Sequence, residues 1–283
     1  MKPVAPVFIL VIALAACGGG GQSGTVVPNV PAAPTGSKTA SVALTIAVPR
    51  SNPQSAVRRP AYVSPATESI VVTPQGATSQ TFATTQSSPG CTNSAGSLTC
   101  TFSVSAPVGP NEPIRISTYA KPDGSGSPLS TATVTVNVVA GQNNPINATV
   151  NGVVASLSVV IVLANFVPGT ASIAQVIVNA LDASGNTIVG PGSYADANGN
   201  PVTVQLSDSD SSNSTTLSQT TVTQPTSGIT LTYNGTAAFS GATVRSAASN
   251  GPAAANIVTA NNTAGFVVTG SAATQRFVAI DQH

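Results

Sequence analysis

Leu98-Thr99-Cys100-Thr101-Phe102-Ser103-Val104-Ser105 is the stretch on which the fold turns. Leu98, Cys100, Phe102 and Val104 occupy every second position, with a hydroxyl residue after each. Side chains alternate across a β-strand, so the octapeptide has one dry face and one wet face. A helix would scatter the same four apolar groups around its axis. The pattern recurs outward in both directions. Upstream, Val42, Leu44, Ile46 and Val48 alternate with small or polar residues, and strands are expected over Glu68 to Thr73 and Ser79 to Thr84. Downstream they are expected over Pro113 to Ala120, Leu129 to Val139 and Ile146 to Asn151, with Val134, Val136 and Val138 on one face.

Turn signals separate these runs: Ser88-Pro89-Gly90, Pro107-Val108-Gly109-Pro110, Pro122-Asp123-Gly124 and Ala140-Gly141. Seven short strands between residues 40 and 150 and no credible helix fit an immunoglobulin-like β-sandwich. The pattern then restarts with Leu157, Val159, Ile161 and Leu163, and again with Val176, Val178 and Ala180. Further strands are expected over Thr187 to Val189, Val202 to Leu206, Thr215 to Val222, Ile229 to Tyr233, Thr243 to Ser246, Ala255 to Thr259, Gly265 to Thr269 and Arg276 to Ile280. The fold class is therefore all-β, with two tandem sandwiches over residues 40–150 and 151–283, joined at Asn151-Gly152 with almost no linker. One continuous β-structure is the alternative.

Composition narrows the function. Charged residues are 6% of the chain, against about 25% in an ordinary soluble domain. Ser, Thr, Asn and Gln supply the polarity instead. Nine cationic residues face eight acidic ones, so there is no basic field for nucleic acid, and none is expected as a partner. Arg50, Arg58 and Arg59 form the one basic cluster, in a Pro-rich loop that they are expected to keep solvated; contact with anionic lipid or polysaccharide is the alternative. The 41% hydrophobic content and its clear period argue against disorder beyond residue 39.

The chain opens with Met1-Lys2, an apolar run from Val4 to Leu14, and then Leu14-Ala15-Ala16-Cys17-Gly18. A cationic tip, a short apolar segment and small residues mark a secretory signal. The apolar run is too short for a membrane span, which needs roughly 20 residues. Leu-Ala-Ala followed by Cys resembles the lipobox of bacterial lipoproteins. That resemblance implies cleavage after Ala16 and lipidation of Cys17; an ordinary signal peptide is the plainer alternative. Residues 1–16 are then the signal peptide and residues 17–39 a lipidated Cys and a Gly-, Ser- and Pro-rich tether. Gly18 after the Cys resembles the outer-membrane sorting pattern, which implies a lipid-anchored place in the cell envelope, at the outer membrane or cell surface.

Cys91 and Cys100 remain as an even pair, expected to form a disulfide clamping a turn-rich insert. Their spacing is not CxxC and no His lies nearby, so a redox or metal pair is disfavoured. Catalysis has few candidates. The single His is His283, the final residue given, and the glutamates are Glu68 and Glu112 alone. There is no Gly-x-Ser-x-Gly elbow, and Gly18 to Gly21 do not lie between a strand and a helix. No enzyme and no cofactor are expected. Two Asp-rich loops, Asp196-Ala197-Asn198-Gly199-Asn200 and Asp208-Ser209-Asp210, present oxygen ligands of the kind calcium uses. Asp196, Asn198, Asp208 and Asp210 are thus weak calcium candidates, weighed against ordinary Asx turns. The chain has no Trp; Tyr119 and Tyr233 sit in strand patterns, while Tyr62 and Tyr194 lie in loops and are expected to be exposed, as contacts for a glycan.

Ala180-Leu181-Asp182-Ala183-Ser184-Gly185-Asn186-Thr187 resembles bacterial Ig-like repeats, in which a strand ends in an Asp-x-x-Gly-Asn turn. Arg58-Arg59-Pro60-Ala61-Tyr62-Val63-Ser64-Pro65-Ala66-Thr67 resembles the opening of uncharacterised envelope lipoproteins. Some of those carry a β-propeller after the Ig-like part; residues beyond Asn151 lack repeated blades, so no lyase activity is implied. The resulting expectation is a non-catalytic envelope lipoprotein presenting Ig-like domains for adhesion or protein interaction. A cell-surface polysaccharide-binding module is the alternative.

Overall fold

A computed structural model of the chain describes residues 38–50, 63–94, 96–162, 167–190, 192–226, 228–236, 241–249 and 263–267. Cys17, Tyr62, Arg58 and Arg59 lie outside the described residues, as do the strands expected over 255–259 and 276–280. In chain order the strands are β1 (Thr39–Pro49), β2 (Ser69–Pro74), β3 (Gln80–Ala83), β4 (Cys91–Ser94), β5 (Ser97–Pro107), β6 (Gly109–Tyr119), β7 (Pro128–Val138) and β8 (Asn144–Ile146). Then come β9 (Asn151–Val153), β10 (Ser156–Val162), β11 (Ser172–Leu181), β12 (Tyr194–Ala195), β13 (Thr203–Asp208) and β14 (Thr215–Leu217). The last four are β15 (Thr221–Val222), β16 (Ile229–Tyr233), β17 (Gly241–Ser249) and β18 (Thr263–Val267). Every regular element among the described residues is a strand, so the chain is all-β.

Burial follows the alternation. Leu98, Cys100, Phe102 and Val104 of β5 are inside, and so are Val42, Leu44, Ile46 and Val48 of β1. β1 and β5 run antiparallel in register from Thr39↔Pro107 to Pro49↔Ser97. Their wet faces carry cross-strand hydroxyl pairs, Thr45 with Thr101 and Ser41 with Ser103. This sheet, in the order β4-β5-β1-β8, packs on β7-β6-β2-β3. The shared core holds Ile70, Val72, Ile114, Ile116 and Val138 from the second sheet. With no Trp available, aliphatic packing fills the space, and Phe82 stacks on Phe102 at 4.8 Å.

A second core lies between the sheets β10-β11-β16-β14 and β15-β13-β17-β18. Leu157, Val159 and Ile161 meet Val204, Leu206, Leu231, Tyr233 and Val244 there. The two cores part between Val150 and Val154. The backbone does not part with them. β9 pairs with β7, and β12 pairs with β9, so the sheet that backs the first core is six-stranded, β12-β9-β7-β6-β2-β3.

Candidate functional site

Among the described residues, those that could carry chemistry fall into four places, and the fold gives each of them a structural part. The first is the cysteine pair. Cys91 and Cys100 are directly opposite each other in the β4–β5 ladder and form a disulfide, as their even count and spacing imply. Cys100 is fully buried in the first core, so the bridge pins the outer strand β4 to it.

The second place is a pair of loops with the same build. Asp182-Ala183-Ser184-Gly185-Asn186 and Asp196-Ala197-Asn198-Gly199-Asn200 both read Asp-Ala-x-Gly-Asn. In each, Oδ1 of the Asp accepts two backbone N–H groups: from Ser184 and Asn186 in one, from Asn198 and Asn200 in the other. The fourth residue must turn through positive φ, 78° at Gly185 and 87° at Gly199, where a glycine is unstrained. Both carboxylates are buried, Asp182 at 2% and Asp196 at 1% exposure. Asp196 also accepts from the Asn200 side chain through Oδ2, at 2.9 Å. This is the Asx-turn arrangement, in which the acid organises its own loop.

The third place is the loop after β13. Asp208 Oδ1 accepts from the Asp210 N–H, and Asp210 Oδ1 accepts from the Ser212 N–H and hydroxyl. The Thr215 hydroxyl lies 2.6 Å from Asp208 Oδ2 and 3.0 Å from Asp210 Oδ2, and the Thr215 N–H donates to Asp210. Burial pushes the Asp210 pKa up, but the donors from Ser212 and Thr215 outweigh it and hold the carboxyl down at about 2. Asp208 and Asp210 are thus brought together, while Asp196 stays with its own turn. Among the described residues no three His, Cys, Asp or Glu side chains gather into a group able to hold a metal.

The fourth place is the tyrosines, and here one expectation fails. Tyr194 was expected to stand exposed for a glycan; it is 1% exposed and part of the second core. Burial raises its phenol to about 12. The short strand β12 turns it inward, because Tyr194 pairs with Gly152 and its N–H donates to the Thr223 carbonyl. It has no surface on which a sugar could stack. Tyr233 is buried too, with its hydroxyl on the Thr236 carbonyl at 2.6 Å, and Tyr119 is half-buried.

Two arginines are spent on backbone carbonyls. Arg50 Nη2 donates to Thr84 at 2.9 Å, and Arg115 Nη2 donates to Ala197 at 2.7 Å. The role of Arg115 was not foreseen. Its partner lies 82 positions away, and the only hint was the recurrence of Asp-Ala-x-Gly-Asn fourteen residues apart.

The fold and these sites define a class, an all-β sandwich protein whose described aspartates are used to build turns. Comparison with known proteins adds little to that. No protein-family model matches the chain, and no curated protein does. Among solved structures it is similar to a glycosyl hydrolase family 2 member from Bacteroides cellulosilyticus DSM 14838, at 11% identity and a TM-score of 0.26. The match covers 72% of this chain and 23% of that one. At that score the likeness bears on neither activity nor substrate.

Proposed function

We propose that this is a non-catalytic lipoprotein of the cell envelope, held by lipid on Cys17 and presenting its β-sandwiches to a protein partner. The observation that carries the reading is Leu14-Ala15-Ala16-Cys17-Gly18 after a short apolar run. Two or three acyl chains, at about 0.8 kcal/mol per buried CH₂, hold a protein on a bilayer in a way one chain does not. Residues 18–38 then serve as a tether that keeps the folded part clear of the surface.

Two features of the folded part support presentation over catalysis. The acids in its Asp-rich loops are engaged in local turns. The outer face of the β10–β11 sheet carries Val160 and Ile177 directly opposite each other, with Val162 and Ile173 close by, all exposed. None of the residues of β10 or β11 is charged. An aliphatic patch of that kind on a surface is suited to contact with another protein.

The anchor is tested by growing cells with labelled palmitate. Wild-type protein is expected to take up label and fractionate with membranes; a Cys17→Ala form is expected to do neither. Retention of the variant in the membrane fraction, or label on it, would sink the reading.

A further inference from the structure

The seam between the two cores is closed by backbone, by packing and by side chains at once, and we propose that the two β bodies form one rigid unit that unfolds as a whole. This does not depend on the lipid anchor. Neighbouring domains joined by a plain linker move relative to each other by default. Here the connection is a strand. β9 pairs with β7 through Thr131↔Asn151 and Ser130↔Gly152, and on its other side with β12 through Tyr194↔Gly152 and Ala195↔Val153. A hinge at Gly152 would therefore break ladder pairing on both sides of the strand.

Packing leaves no slack at the same point. A Cβ built on Gly152 would lie 2.3 Å from Ile188 Cγ2, so only glycine lets Ile188 seat there. Ile188 belongs to the second core, and Gly152 pairs with Ser130 of the first body. A Cβ on Gly192 would likewise come within 2.8 Å of the Val150 carbonyl. The Asn151 side chain adds a hydrogen bond across the junction, accepting from the Ser193 N–H at 3.1 Å.

The twin loops then clasp the first body at two points. From the first loop, Asn186 Nδ2 donates to Ser64 Oγ at 3.2 Å. Over the second, Arg115 reaches out to the Ala197 carbonyl, and a Cβ on Gly199 would touch the Thr131 methyl at 3.5 Å. The residues beneath are polar yet hidden: Ser64 and Ser130 have no exposure and Thr131 has 1%. At the free end of an isolated sandwich such hydroxyls would meet water. The repeated Asp-Ala-x-Gly-Asn turn is thus a structural device that fixes the angle between the bodies, and its second copy includes the calcium candidates Asp196 and Asn198.

The test uses the full-length protein in detergent. Nitroxides attached at the exposed positions Ala47 and Ile173, through chemistry that spares cysteine, report the distance between the bodies. One narrow distance peak is expected, with a single calorimetric transition whose van't Hoff and calorimetric enthalpies agree. The Arg115→Ala/Asn186→Ala double variant is expected to broaden the peak with circular dichroism unchanged. Gly152→Val is expected to split the transition in two; if it does not fold, the double variant decides. A broad peak or two transitions in the wild type would overturn the proposal; a double variant whose peak stays narrow would overturn the role given to the twin loops and leave β9 as the joint.

Discussion

At Asp210 the carboxylate is surrounded by donors: the N–H and hydroxyl of Ser212 on one oxygen, those of Thr215 on the other. Against the desolvation that would raise it, these bonds bring its pKa from an ordinary 3.8 to about 2. A folded-state pKa below the unfolded one means the unfolded chain takes up the proton first as pH falls. The stabilisation is complete above the unfolded value of 3.8 and drains away as pH drops towards about 2. Asp210→Asn cannot titrate, so its thermal midpoint should fall less steeply than that of the wild type over that window. Parallel midpoint-versus-pH curves for the two proteins would contradict the assignment. The Thr215 hydroxyl proton, placed between Asp208 Oδ2 and Asp210 Oδ2, can serve only one of them at a time, and its bond to Asp208 ties β14 to the end of β13.

At the scale of elements, the disulfide is the clearest link between sequence and stability. It joins residues nine apart and holds β4, a four-residue strand, against β5. Loop-closure arithmetic for a ring of that size gives about 2 to 3 kcal/mol. Reduction should therefore lower the urea midpoint with little change in the slope, since β4 adds little apolar area to the core. An unchanged midpoint would show that the bridge is idle. The long strands were legible from period-two alternation, because each has one face in a core and the other in water: β1, β5, β10 and β11 all show it. The two-residue strand β12 was not, whereas β15 falls within the run expected over Thr215 to Val222, which the structure divides into β14 and β15. Alternation needs four or more residues to register, and β12 exists only through partners distant in sequence. Tyr194 shows the cost of that blindness. Flanked by Gly190, Gly192 and Ser193 on one side and Asp196 on the other, it has the local marks of a loop, yet pairing with Gly152 carries it into the core. The turn chemistry of Asp182 was legible from sequence; that its neighbour Asn186 grips Ser64 was not, because the contact spans 122 positions.

At the scale of the whole molecule, coupling between the two cores predicts how distant mutations combine. Leu98 belongs to the first core and Leu231 to the second, and neither has any exposed surface. Truncating either to Ala removes buried methylenes and leaves a cavity, at a cost of about 2 to 5 kcal/mol. Were the bodies independent, Leu98→Ala would shift one melting transition and Leu231→Ala another. With β9 shared between them, both variants must shift the same one. In a body of this size each kcal/mol moves the midpoint by about 2 to 4 °C, so each single variant should melt about 4 to 20 °C below the wild type. The residues share no contacts, so the double variant should lose about the sum of the two. Differential scanning calorimetry of the four proteins checks this: one peak in each, displaced by amounts that add. A shoulder that stays at the wild-type temperature in either single variant would mean that one body survives when the other melts, and a strand that crosses between two cores would then be a tether and not a joint.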